Sequence, residues 1–281
     1  MASSHNETQY PAKVKIKGAP DYDDAEFWDK KFVTGQDVGE WLNPGDALLD
    51  QAISHLEQSQ GLPGESQKVR RRVLHLGPGI SALGSKLCDA FVQRGWRGDS
   101  IVNVDFSSEA VRLGRKLEGQ KNEPADVMHW VQADLCSWDQ VSSSVSLPFA
   151  PVDAVLDKST CDAIATSVSR TFHSSTSRDA IDSTLPAASP VVQEILDQTQ
   201  EAQLTLAPVE LLALHLASIT EKGAIWLALS YSNTRFDGFT HLSAYWSIVS
   251  RTPLKAPSGQ TASASAMVPE VFHWVYVLRR I

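Results

Sequence analysis

The sequence predicts an α/β fold: a doubly wound, mostly parallel sheet of seven strands with an N-terminal helical cap. Three observations carry that expectation. Short apolar runs recur over residues 73–76, 101–105, 127–132, 152–156 and 224–229, most of them separated by amphipathic stretches. Strand–helix alternation at this spacing builds a parallel sheet with crossover helices. The first run passes straight into Gly77-Pro78-Gly79, a glycine turn that opens a helix. Two last runs, over 245–249 and 271–278, are joined only by a loop rich in Ser, Ala, Pro and Gly, so they close the sheet as an antiparallel pair.

The elements follow in order. Asp23 and Asp24 stand where a helix cap accepts backbone N–H groups, ahead of a helix to about Phe32 that sets Trp28 and Phe32 one turn apart. After a loop over 35–45 that carries Trp41, Leu49, Ala52, Ile53 and Leu56 mark the apolar face of a second helix, and 61–67 is a turn-rich linker. Beyond the glycine turn, Leu83, Leu87, Ala90 and Phe91 form the stripe of a helix that stops near Gly95. Ser107 or Ser108 caps the next one, to about Leu117. Residues 166–190, rich in Ser, Thr, Ala and Asp, interrupt the rhythm and read as a partly disordered surface insertion. Helical patterning resumes near Val191. Pro208 then opens a helix with Val209, Leu212, Leu216 and Ile219 on one face, which Gly223 is expected to stop.

Composition narrows the classes. A chain of 281 residues, 42% hydrophobic and 21% charged, is globular and long enough for one large domain with an insertion. A net charge of -8 argues against a nucleic-acid partner, which needs a basic face. Cys88, Cys136 and Cys161 lack metal-ligand spacing, and no two histidines stand in an H-x-x-x-H pair, so neither a metal site nor a disulfide framework is expected. Residues 1–20 are polar without an apolar signal core, and no run of 18 apolar residues occurs, so the expected setting is cytoplasmic and away from membranes.

In an open α/β sheet, ligands sit at the carboxyl ends of the strands beside the topological switch point. Gly77 and Gly79 let a ligand approach the main chain, and the following helix turns its positive end toward an anionic group. Asp105 ends the second strand, where a carboxylate accepts hydrogen bonds from both hydroxyls of a ribose or is simply solvated. Asp134, after the third strand, either meets an adenine amino group or caps the turn before Ser137. Asp157 opens the polar cluster Asp157-Lys158-Ser159-Thr160-Cys161-Asp162, where it either steadies an amine acceptor or forms a local pair with Lys158. Trp28, Lys31 and Trp41 either pack the cap or form a lid, with Lys31 neutralising a carboxylate. Tyr231, Asn233 and Arg235 follow the fifth strand on the acceptor side, while Phe236 and Trp246 read as core. There is no P-loop, no nucleophile elbow and no Asn-Pro-Pro-Tyr motif.

Taken together, residues 27–165 and 206–280 resemble a class I S-adenosylmethionine-dependent methyltransferase, a Rossmann-like fold. Leu74-His75-Leu76-Gly77-Pro78-Gly79 is similar to that family's methionine-binding turn, Asp105 to its ribose-binding acid, and Ala133-Asp134-Leu135 to its adenine-side motif. Phe27-Trp28-Asp29-Lys30-Lys31-Phe32, Glu40-Trp41 and the cluster from Asp157 to Ala163 resemble the protein-lysine methyltransferases that act on translation elongation factor 1-alpha. The closing Phe272-His273-Trp274-Val275-Tyr276-Val277 is similar to that group's last strand. The resemblance implies S-adenosyl-L-methionine as cofactor. It implies Trp28, Lys31, Trp41, Gly77, Gly79, Asp105, Phe106, Asp134, Leu135 and Asp157 as its contacts, and Asp157 and Tyr231 as catalytic residues. The implied reaction is in-line methyl transfer, nitrogen being the first acceptor.

The implied organisation is a flexible tail (1–20) and one domain (21–281). That domain divides into a cap (21–68), a cofactor-binding half (69–165), the insertion (166–190) and an acceptor-side half (191–281). Ser159 stands where the lysine methyltransferases carry glycine, and Trp41 lacks the aromatic neighbour usual there. The acceptor thus stays open between a protein lysine and the small-molecule nitrogen, oxygen or sulfur methylated by related fungal natural-product enzymes. Two readings of other classes also stay open: an NAD-dependent oxidoreductase, whose glycine turn and strand-end acid look alike, and a non-catalytic methyltransferase-like scaffold.

Overall fold

The computed structural model describes residues 20–35, 39–58, 71–174, 186–199, 202–257 and 270–281. The tail up to residue 19, the linker over 61–67, residues 175–185 of the insertion and residues 258–269 of the last loop lie outside them. Nine strands are described: β1 (Val73–Leu76), β2 (Ile101–Asp105), β3 (His129–Gln132), β4 (Val152–Lys158), β5 (Arg170–His173), β6 (Gln203–Leu206), β7 (Thr220–Ser230), β8 (Trp246–Lys255) and β9 (Phe272–Arg280). Seven of them form one sheet in the order β3-β2-β1-β4-β7-β9-β8, while β5 and β6 pair separately. The first five strands of the sheet are parallel, and β9 runs antiparallel to both β7 and β8. The expected doubly wound sheet with an antiparallel closing strand is therefore present.

Strand alternation divides the core. Leu74, Leu76, Val155, Trp226 and Ala228 pack on one face with the helices Pro190–Thr199 and Pro208–Ile219. Val73, Ala154, Leu156, Ile225 and Leu227 pack on the other, under helices α2 (Asp46–Gln58) and α3 (Leu83–Gln93). Both faces are covered, which is why every residue of β1 and β2 is buried, and the two polar interruptions, His75 and Asn103, meet each other at 3.0 Å. In α2 the buried stripe is Leu48, Ala52, Ile53 and Leu56, with Leu49 only half-buried at its edge.

Helix α1 (Ala25–Thr34) begins as expected: Asp24 accepts from the Glu26 amide. Helix α4 (Ser108–Glu118) is capped by Ser107, whose hydroxyl accepts from the Ala110 amide. Two expectations are corrected. Gly223 does not stop the helix Pro208–Ile219, which closes where Thr220 Oγ1 donates to Leu216 O at 2.8 Å. The chain goes directly into β7 and passes Gly223 at φ 93°, where the register against β4 slips between Val152 and Ala154, so this glycine serves a bulge. The insertion is also not wholly an irregular surface segment. Its residues 170–173 pair antiparallel with β6, and Phe172 of this pair is buried in the core.

Candidate active site at the carboxyl ends of the strands

The sheet order reverses between β1 and β4, so the glycine turn after β1 and the polar cluster after β4 lie side by side. A cavity of about 480 Å³ opens there, a size suited to one small-molecule ligand. Its floor is the turn Gly77–Gly79. Gly77 has φ 50° and donates to Val104 O at 2.8 Å, and Gly79 has φ 53° and donates to Asp105 Oδ2 at 3.0 Å. A Cβ on Gly77 would strike Thr160 Oγ1, which is held by its own bond to Leu76 O at 2.8 Å. The turn is therefore glycine for two reasons, its left-handed backbone and this contact.

Asp105 is 5% exposed and lines the cavity. Its two oxygens accept from the amides of Ser107 (2.9 Å) and Gly79 (3.0 Å), which leaves a lone pair on each. Burial pushes its carboxyl up to about 6 against the pull of those amides, and the charge of Asp29 adds to the rise. Phe106 lies beside it in the lining.

After β3, the loop from Asp134 to Cys136 is fixed on several sides. The Asp134 amide donates to Gln140 Oε1 (2.8 Å), the Cys136 amide to Asp134 Oδ1 (2.8 Å), and buried His215 lies 2.8 Å from Leu135 O through Nδ1. Arg170 donates to Asp134 Oδ2 (3.0 Å) and to Cys136 O (2.8 Å). The Leu135 N–H has no acceptor among the described residues, and Leu135 lines the cavity. Asp134 thus offers an acceptor and Leu135 a donor side by side, the complement of an adenine edge with its amino group and ring nitrogen.

The cap forms the roof. Trp28 and Phe32 stack on one face of α1 with ring centroids 5.8 Å apart, and Trp41 meets Trp28 at 5.6 Å. Two carboxylates fasten this roof to helix N-termini. Asp29 accepts from Ser107 Oγ, from Ser108 Oγ at 2.9 Å and from the Glu109 amide at 3.0 Å. Glu40 accepts from the Ala82 amide at 2.7 Å, from Ser81 Oγ and from Lys158 Nζ at 2.6 Å. Burial raises both carboxyls, but these donors outweigh it and hold both below the usual carboxylate range.

Two expected site residues stand elsewhere. Lys31 turns away from the cavity toward Phe27, its Nζ 5.3 Å from that ring, because i and i+4 share a helix face; Phe32 takes the place beside Trp28. Asp157 is completely buried and is not part of the lining. Its Oδ1 accepts from the Thr160 amide at 2.8 Å and the Cys161 amide at 3.1 Å, its Oδ2 has no partner, and burial pushes its carboxyl up to about 7. Because β4 continues through Lys158, adjacent side chains point to opposite faces, and Lys158 lines the cavity instead.

At the far end, Tyr231 lines the cavity and is 56% exposed, while its amide donates to Asp162 Oδ2 at 3.2 Å. Asn233 and Arg235 do not reach the lining. Arg235 pairs with buried Asp162 at 2.7 Å and stacks over Tyr231, 5.4 Å from its ring centroid. Phe236 and Trp246 are core, as expected. Sequence reasoning missed Phe32 and Lys158, each one position from a residue it chose. It also missed Arg170, whose partners lie 34 and 36 residues away in the chain.

No family model matches the chain. A methyltransferase of Neurospora crassa, srdJ, is 27% identical over 262 residues, which cover 92% of this chain and 84% of that protein. A solved S-adenosylmethionine-dependent methyltransferase of Anabaena variabilis superposes with a TM-score of 0.50 at 9% identity, covering 92% of this chain and 93% of the other. The N-methyltransferase NodS of Bradyrhizobium japonicum, solved with S-adenosylhomocysteine, gives 0.47 at 13% identity, over 93% and 99%. The sheet, with an antiparallel strand between β7 and β8, is that of class I methyltransferases and not the fully parallel dinucleotide-binding sheet. The donor set fits the cofactor: a glycine turn that brings the main chain to the cavity floor, a strand-end carboxylate with a lone pair free on each oxygen, and beside a second carboxylate an N–H with no acceptor among the described residues. With a relationship to a methyltransferase along nearly the whole chain, these features make the protein an S-adenosylmethionine-dependent methyltransferase of the class I fold.

Proposed function

We propose that the enzyme methylates nitrogen, an amine presented at the Tyr231 end of the cavity. Gly77 and Gly79 would hold the methionine part of the cofactor, Asp105 the ribose hydroxyls and Asp134 with Leu135 the adenine edge. Phe106, Trp28 and Trp41 would enclose it. When bound, S-adenosylmethionine supplies a methyl group made electrophilic by its sulfonium. The chain's own task is then to orient the acceptor, exclude water and keep the acceptor's lone pair free.

The observation that carries the nitrogen reading is that, among the described residues, the acceptor end of the cavity holds no histidine and no carboxylate free of a partner. No histidine lines the cavity among the described residues. The buried carboxylate there, Asp162, is tied to Arg235, Ser230, Ser159 and the Tyr231 amide. A hydroxyl acceptor loses a proton in the transition state and needs such a base. A neutral amine attacks with its own lone pair and gives up its proton afterwards to water. Tyr231 would border it with an aromatic face and a phenol. The protein-lysine resemblance fits this chemistry, and a small-molecule amine fits it equally. Residues from 21 onward would act as one methyltransferase domain. A cytoplasmic setting with no nucleic-acid partner remains part of the proposal, and no described helix is long and apolar enough to cross a membrane.

The test is a screen with methyl-labelled cofactor against a protein extract and a small-molecule extract, followed by product chemistry. Label that survives both acid and alkali and migrates as a methylamine is the expected result. Label released as methanol by alkali identifies a carboxyl ester, and label on an ether or thioether likewise overturns the nitrogen reading.

A further inference from the structure

The segment inserted after β4 reaches the cavity wall at Ser167 and Arg170, and Arg170 is the one that grips the wall's loop. Arg170 opens β5, and its backbone is fixed by the four-residue pairing with β6, by the Thr171–Thr205 hydroxyl bond of 2.9 Å and by Phe172 in the core. From that base its guanidinium spans two groups of one loop: Nη2 meets Asp134 Oδ2 at 3.0 Å, and Nη1 meets Cys136 O at 2.8 Å. We propose that Arg170 makes the cavity selective for a base bearing an exocyclic amino group, as a positioning residue that holds Asp134 and Leu135 in donor–acceptor register. The proposal rests on the reading of Asp134 and Leu135 as the adenine subsite.

The chemistry follows from counting lone pairs. An ionised carboxylate has about four acceptor positions. Asp134 spends one on the Cys136 amide and one on Arg170, and two remain for the amino group of a base. The side chain is 36% exposed, so without Arg170 it would swing into water, held by the Cys136 amide alone. The same guanidinium grips the carbonyl of Cys136, one residue past the Leu135 N–H, which has no acceptor among the described residues, and so fixes the loop that carries this donor at the cavity wall. A planar fork holds both groups at a fixed spacing, which a single ammonium does not. Exchange of the base's amino group for a carbonyl reverses both contacts: an oxygen then faces the Asp134 carboxylate, and a ring N–H faces the Leu135 N–H.

The experiment is calorimetric titration of the full chain with S-adenosylhomocysteine and with its deaminated counterpart, S-inosylhomocysteine. The proteins are the wild type, Arg170→Ala and Arg170→Lys, with melting temperatures recorded alongside. The wild type is expected to prefer the adenosyl compound by at least about 100-fold, the effect of two reversed polar contacts. Arg170→Ala is expected to lose at least about tenfold of that ratio through weaker adenosyl binding, with inosyl binding little changed. Arg170→Lys, which keeps the charge without the fork, is expected to fall between, and it carries the test should the alanine variant not fold. A ratio unchanged in both variants, whether or not the two affinities fall together, overturns the proposal and leaves Arg170 as wall only. A wild type that binds both compounds alike overturns the adenine subsite itself, and the role of Arg170 with it.

Discussion

Two buried carboxyls, Asp105 and Asp157, show how position along a strand divides site from support. Asp105 is the last residue of β2 and Asp157 the last but one of β4, and burial raises both, to about 6 and about 7. Asp105 opens on the cavity, so a ligand that donates two hydroxyls to it favours its charged form. Cofactor binding is then expected to release a proton near pH 6 and to weaken as pH falls below that value. Calorimetry in buffers of different ionisation enthalpy reads the proton directly, and Asp105→Asn should abolish it; release unchanged in that variant would remove the ribose assignment. Asp157 touches no ligand surface, and its raised value has a different consequence. The carboxyl is neutral in the fold below about 7 and ionises near 4 when unfolded, so folding takes up a proton in between. That contribution to stability is complete below pH 4 and is lost as pH rises through about 7. Asp157→Asn is accordingly expected to raise the melting temperature at pH 8 by on the order of 10 °C relative to its effect at pH 4, with turnover retained. A variant that folds but has lost turnover would return Asp157 to a role at the acceptor.

At the scale of elements, the site is roofed by a helix that the sheet does not contain. Asp29 fastens α1 to the start of α4, and Glu40 fastens the following loop to the start of α3 and to Lys158. Each carboxylate meets the positive end of a helix. Glu40→Gln keeps an oxygen for the Ala82 amide but gives up the ion pair with Lys158, and loss of a charge-assisted bond is expected to speed cofactor release about tenfold. Stopped-flow measurement of release checks this; an unchanged rate would mean that the cap does not hold the ligand. The elements legible in the sequence were those whose physics is local. Short, mostly apolar runs marked β1, β2 and β4, and capping residues marked α1 and α4. The pair β5–β6 was not legible, because Arg170-Thr171-Phe172-His173 and Gln203-Leu204-Thr205-Leu206 are short, polar in part and meaningful only when paired. Gly223 was misread because a left-handed glycine ends a helix and makes a bulge with the same backbone. In the site, Asp105 and Asp134 were legible because strand ends locate them, whereas Arg170 depends on a partner that only the fold brings near.

At the scale of the whole molecule, the cavity draws its lining from the ends of β1, β2, β3, β4 and β7, from the cap and from the insertion at Ser167 and Arg170, segments spread from Tyr22 to Tyr231. No part of the unfolded chain presents that set together, so a ligand that needs all of it binds the native state alone. Its stabilisation then follows mass action: at a ligand concentration 100 times the dissociation constant the gain is about 2.7 kcal/mol. For a chain of this size that raises the melting temperature by about 5–10 °C. S-adenosylhomocysteine is expected to produce such a shift, growing with the logarithm of its concentration, in a thermal scan at fixed protein concentration. In Asp105→Ala the whole curve should move to higher ligand concentration, because the ribose contact is lost while the remaining lining persists. A shift that keeps its midpoint in that variant would mean that the stabilising ligand sits outside the strand-end cavity, and the assignment of this cavity to the cofactor would fall.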